Sequence, residues 1–137
     1  MTDIEKIREV VEKYCEAIHS QDEKEFKNLW SGDAFNIEIS GSKIFRGVDS
    51  IYEDFVAGML NQRYSEIRLI NDGLEINLIT ADTAIAVFSY HTECIVRDTG
   101  EPHGIAGLET QVLKKIDDEW KLVHIQYAGK SIKKTTI

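Results

Sequence analysis

The first twenty residues place apolar side chains at three- and four-residue steps. Ile4, Ile7, Val11, Tyr14 and Ile18 form one stripe, the spacing of a helix with one buried face. Thr2 and Glu5 stand ahead of it at capping-box spacing. Asp22 and Glu25 open a second, shorter helix, with Phe26, Leu29 and Trp30 on its buried side and Ser-Gly-Asp at 31–33 as its stop. The period then changes. Phe35, Ile37 and Ile39 alternate with Asn36, Glu38 and Ser40, which predicts a strand turned back at Gly41-Ser42. A third helix is expected from Ser50, which has Glu53 at capping-box spacing and Ile51, Phe55 and Met59 as its stripe.

Beyond about residue 64 the helical signal stops. The runs 64–71, 74–79, 83–96, 104–116 and 120–129 are rich in β-branched and aromatic residues and are separated by turn-forming segments. Helices first and long strands afterwards predict an α+β fold, with three N-terminal helices packed on one strongly curved, mostly antiparallel sheet. Such a sheet, closed by helices, forms a cone whose mouth is too wide to fill with side chains and makes a natural small-molecule pocket. The run Gly-Leu-Glu-Thr-Gln-Val-Leu at 107–113 is the least ordinary strand. Leu108, Thr110 and Val112 share one face, Glu109, Gln111 and Leu113 the other, so neither face is simply wet or dry.

Composition narrows the picture. A chain of 137 residues, 42% hydrophobic and 29% charged with one proline, is expected to be one domain, 1–137, in which 130–137 form a short polar tail. Its net charge of −8 argues against nucleic acid or an anionic membrane surface as partner. Cys15 and Cys94 have no metal-ligand spacing and are read as free thiols. The charged N-terminus and the lack of a long apolar run predict a cytoplasmic protein. No phosphate loop, dinucleotide fingerprint or nucleophile elbow is visible, so no cofactor and no metal is implied.

The order of elements, with the runs 10–22 and 121–130, resembles the NTF2-like superfamily in its SnoaL-like and ketosteroid-isomerase-like branch. In ketosteroid isomerases a first-helix tyrosine is an oxyanion donor, and it falls on Tyr14. The general-base aspartate near the end of the first strand falls on Glu38, and the protonated aspartate of a late strand falls on Glu109. Both carboxylates are Glu here where that family has Asp, and one methylene shifts a tuned geometry. The late strands, 108–130, are also similar to the calcium/calmodulin-dependent kinase association domain. Its pocket arginines fall on His91, Gln111 and Tyr127, none of them arginine, so anion binding through those positions is not implied.

These resemblances imply an inner wall of Val87, Ser89, His91, Glu109, Gln111, Leu113, Val123, Ile125 and Tyr127, with Trp30 and Phe55 contributed by the helices. Ala86, Phe88, Tyr90, Thr110, Val112 and Leu122 then lie on the outer face, which is apolar enough to predict a homodimer across it. Two functions follow from the resemblance. One is an isomerase or cyclase moving a proton α to a carbonyl of a small apolar or amphipathic molecule, with Glu38 as base and Tyr14 and neutral Glu109 on the enolate oxygen. The other is a binding or oligomerisation module without turnover. Read from the residues alone, Tyr14 can equally be a core tyrosine, Glu38 a solvated strand residue and Glu109 a surface glutamate.

Overall fold

The computed structural model describes residues 1–132. Helix α1 (Asp3–Ser20) starts from the expected capping box: Glu5 N–H donates to Thr2 Oγ1 and Thr2 N–H to Glu5 Oε2. It buries Ile7, Val11, Tyr14, Ala17 and Ile18. Helix α2 (Glu23–Asn28) is capped by the Asp22 side chain, which accepts from Glu25 N–H, and it buries Phe26. The third helical segment is continuous: α3 (Val48–Ser50), a π-helical stretch (Ile51–Leu60) and α4 (Asn61–Arg63). Its N-cap position is Gly47, at φ 80°, and Ser50 instead bonds Asp54 from within the helix. The capping box expected at Ser50 is therefore absent.

The strands are β1 (Ile37–Ser40), β2 (Lys43–Arg46), β3 (Tyr64–Thr80), β4 (Thr83–Val96), β5 (Pro102–His103), β6 (Ile105–Ile116) and β7 (Glu119–Ser131). They form one sheet in the order β2-β1-β7-β6-β4-β3, with β5 on β4. Only β1 and β7 run parallel; every other named pair is antiparallel. The helices cover one face, and the fold is the α+β cone expected. Residues 64–80 are one strand rather than two, because the Asp72-Gly73 turn signal is absorbed as a bulge: β3 shifts register between Asn71 and Gly73. Of the expected polar tail, Lys130 and Ser131 instead complete β7, and Ile132 N–H bonds Gly104 C=O. Residues 133–137 lie outside the described chain.

Register corrects the inner wall. Glu109 is the Cα partner of Phe88 on one side and Tyr127 on the other, and directly paired residues point the same way. With Glu109 inward, Phe88 must also be inward, together with Ala84, Ala86 and Tyr90, all buried. Val87, Ser89 and His91 therefore lie on the outer face, contrary to expectation. In β7 the register slips between Val112↔His124 and Leu113↔Leu122. That leaves Val123 as an extra residue, and Trp120 and Leu122 turn inward below the bulge while Ile125 and Tyr127 do so above it. Val123 is thus outside, and Leu122 is core. Phe88, Tyr90 and Leu122 leave the proposed dimer face, which keeps Leu108 and Val112 and gains Ile85, Val87 and Val123.

Strand β1 reverses the usual economy of burial. Its polar face points in: Asn36 and Glu38 are buried, while Phe35 is 84% exposed. Asn36 is satisfied by Ser31, accepting from its hydroxyl at 2.6 Å and donating to its carbonyl at 2.7 Å. A buried polar strand face needs a local partner for each group, and Glu38 finds its own in α1.

Candidate active site

A cavity of about 370 Å³ opens at one end of the cone. The paired strands form rungs that mark its depth. The Glu38–Ile125–Gln111–Ala86 rung lies beneath it; the Ser40–Tyr127–Glu109–Phe88 rung is next; the Gly129–Gly107–Tyr90 rung is above that. Side chains below the Glu109 rung fill the cone. Above it, Tyr14, Phe55, Glu109, Tyr127, Tyr90 and Thr92 line open space, and the exposed Gly41, Ser42, Lys43, Arg63, Ala128 and Gly129 rim its mouth. Aromatic rings make much of the wall: Phe55 lies 5.4 Å from Phe45 and 5.9 Å from Tyr127 between centroids, and Tyr90 meets Tyr127 edge-on at 6.1 Å.

Two buried carboxyls face this interior in different ways. Glu109, 2% exposed, is on the cavity wall, and its Oε2 accepts from Gln111 Nε2 at 2.7 Å. Glu38 is sealed behind Tyr14, whose hydroxyl donates to Glu38 Oε1 at 2.7 Å. Glu38 Oε2 and Gln111 Oε1 have no protein partner among the described residues. Neither carboxyl is hydrogen-bonded or ion-paired to a Lys or Arg there. Burial therefore pushes Glu109 up to about 8, the Gln111 hydrogen bond offsetting part of the rise. Glu38 is raised well above the usual carboxylate range by burial and then by the nearby Glu109 charge, with the Tyr14 bond opposing. Burial and both carboxylates raise Tyr14 as well. Two like charges in a dry interior oppose each other's ionisation.

The structure brings together part of the predicted set. Tyr14, Phe55, Glu109 and Tyr127 meet around the cavity. Gln111 and Glu38 are one rung below, held against the lining groups. Trp30, Leu113 and Ile125 are core residues that do not reach the cavity, because the cone is packed solid beneath the Glu109 rung. Val87, Ser89, His91 and Val123 are on the opposite face, where His91 Nδ1 lies 2.6 Å from Asp72 Oδ2. Sequence reasoning missed Ser40, which exchanges a 2.6 Å hydroxyl contact with Tyr127, and also Tyr90, Lys43 and Arg63. For Tyr90 a signal existed: Phe88 and Tyr90 are larger and more apolar than Ser89 and His91, so plain alternation favours them as the inward set.

Residues 7–128 match the model of the SnoaL-like domain family. The chain belongs to that family. Among solved structures, this SnoaL-like protein is similar to an NTF2-like superfamily protein from Salmonella enterica serovar Typhimurium LT2. The identity is 27%, the match covers 97% of this chain and 93% of the other, and the TM-score is 0.86. A hexachlorocyclohexane dehydrochlorinase, LinA-type3 from Novosphingobium barchaimii LL02, shares the fold at 13% identity, 96% and 91% coverage and TM-score 0.81. So does a calcium/calmodulin-dependent protein kinase II association-domain-like protein from Xanthomonas campestris, at 12% identity, 95% and 89% coverage and TM-score 0.78. No curated protein matches the chain in sequence. No helix among the described residues is long and apolar enough to cross a membrane.

Proposed function

We propose that this SnoaL-like protein is an isomerase or lyase that moves a proton at a carbon next to a carbonyl of a small, largely apolar molecule. The observation that carries the reading is the Glu109 carboxyl, buried on the wall of an aromatic cavity, without a cation, and raised to about 8. A base works best when its pKa lies near the working pH. Of the two carboxyls only Glu109 lines the cavity, so the base role expected of Glu38 passes to Glu109. As carboxylate it takes the α-proton; as neutral acid it returns that proton to another carbon, or the enolate expels a leaving group. Dehydrochlorination by the fold neighbour also removes a proton together with a leaving group, from a substrate that has no carbonyl.

Tyr14 stabilises the developing enolate oxygen. Its hydroxyl donates to Glu38 in the free protein. A protonated Glu38 can donate to the Tyr14 oxygen instead and leave the tyrosine proton free to face the substrate. Glu38 then acts as a positioning residue behind Tyr14. Substrate-independent chemistry tests the proposal: hydrogen exchange into D₂O at the α-carbon of aryl methyl ketones and cyclic β,γ-enones, followed by proton NMR. Exchange above the buffer rate in the wild type, lost in Glu109→Gln, is the expected result. Wild-type exchange no faster than buffer across the panel, or exchange indifferent to Glu109→Gln, contradicts it.

We also propose that two copies pair through the outer sheet face. Ile85, Val87, Val112 and Val123 are only half-covered there and Leu108 is 65% exposed. Apolar side chains grouped on one exposed sheet face mark a contact surface.

A further inference from the structure

We propose that the cavity is built for an elongated carbonyl compound that ends in an anionic group, such as an aryl keto acid, bound with its carbonyl end toward Tyr14 and Glu109 and its anion at the mouth. This inference rests on the reading of the cavity as a small-molecule site. It is carried by which groups the cavity leaves unused along its length.

At the deep end stand Tyr14, the donor for a carbonyl oxygen, and Glu109, buried beside it without a cation. One rung higher, Tyr90 is 3% exposed, and its buried hydroxyl has no protein partner among the described residues. The Tyr90 ring lines the cavity, and its hydroxyl sits beside bare backbone: a Cβ placed on Gly129 would come within 2.6 Å of it. At the rim, Lys43 and Arg63 both line the opening. Neither has an acidic partner among the described residues. The chain as a whole carries −8, so two free cations at the cavity mouth run against the general field and make a local site for a negative group.

The cavity thus presents the Tyr14 hydroxyl at its floor and cations at its rim, separated by aromatic wall. Its ligand must bring acceptors at both ends and an apolar body between them. From the Glu109 rung to that of Ile105, also a lining residue, is four residues along β6, about 13 Å.

The test compares 6-acetyl-2-naphthoate with 6-acetyl-2-naphthamide, two rigid probes of one shape that differ in the terminal charge. Binding is measured by isothermal titration calorimetry at low salt and at 0.5 M NaCl, with wild type and Lys43→Gln/Arg63→Gln. The wild type should bind the acid about tenfold more tightly than the amide at low salt, the scale of two exposed charge contacts. High salt or the double substitution should abolish that preference and leave amide affinity unchanged. The amide is therefore also the folding control. Equal affinity for the two probes, or an acid preference that survives the double substitution, overturns this inference and leaves the pocket reading standing. Binding of neither probe by the wild type overturns both.

Discussion

Replacing Glu109 with Gln should stabilise the protein, and by an amount that depends on pH. The folded-state value is about 8 against an ordinary value of 4.5. Below pH 4.5 the carboxyl is protonated in both folded and unfolded chains and contributes nothing to pH-dependent stability. Between 4.5 and 8 the unfolded chain releases the proton while the folded chain keeps it, so stability falls as pH rises. Each pH unit in that window costs about 1.4 kcal/mol. At pH 7 the loss is therefore about 3 kcal/mol, and it levels off at about 5 kcal/mol above pH 8. Glutamine has nearly the same shape, keeps an acceptor for Gln111 Nε2, and cannot ionise. Urea unfolding of wild type and Glu109→Gln at pH 4, 7 and 9, analysed with a common m-value, isolates this one group. The expected gain is near zero at pH 4, about 3 kcal/mol at pH 7 and about 5 kcal/mol at pH 9. A variant less stable than wild type at pH 7, or a difference that does not change with pH, refutes the reasoning. The same substitution removes the proposed base, so a gain in stability should accompany a loss of α-hydrogen exchange.

Tyr14→Phe deletes the donor to Glu38 Oε1 and leaves a buried carboxyl without it; urea unfolding should show a loss of about 1–3 kcal/mol. Gly129→Ala sets a Cβ 2.6 Å from the Tyr90 hydroxyl and 2.7 Å from Ile105 Cγ2; calorimetry should show at least tenfold weaker probe binding as the wall shifts into the cavity. Val112→Asp should convert a dimer to monomer in sedimentation velocity, because an unpaired charge buried at a contact costs about 3–5 kcal/mol; a wild type already monomeric at micromolar concentration removes the outer face as an interface. Phe88→Asp should instead unfold the chain, since Phe88 is in the core, and loss of the near-ultraviolet dichroism would report it.

Much of the architecture was legible because it depends on period and punctuation. The α1 stripe, the Thr2–Glu5 box, the Asp22 cap and the hairpin at Gly41-Ser42 are local signals, and each appears in the structure. The inward side of β6 was legible too, since Glu109 and Gln111 alternate against Thr110 and Val112. What the sequence did not carry is register. Placing Val87, Ser89 and His91 inside required β4 to be paired half a period away from where it is, against the alternation of Phe88 and Tyr90 with Ser89 and His91, which pointed the right way. The bulge that ejects Val123 is likewise a property of the β6–β7 pair. Glu38 illustrates a third limit. Its strand alternates like any surface strand, and only the arrival of Tyr14 from α1, 24 residues earlier, turns the polar face inward.

The central claim, that Glu109 is the titrating group of a dry proton-transfer cavity, is tested most directly by its own titration. Carbon-detected NMR of side-chain carboxyls, with Glu109→Gln to assign the resonance, reads the ionisation of that one group. The account predicts a midpoint near 8, well above the other glutamates and displaced further when a neutral ketone fills the cavity. A midpoint at or below 4.5 would mean a solvated or ion-paired carboxylate, and it would contradict both the buried site and the acid–base role built on it.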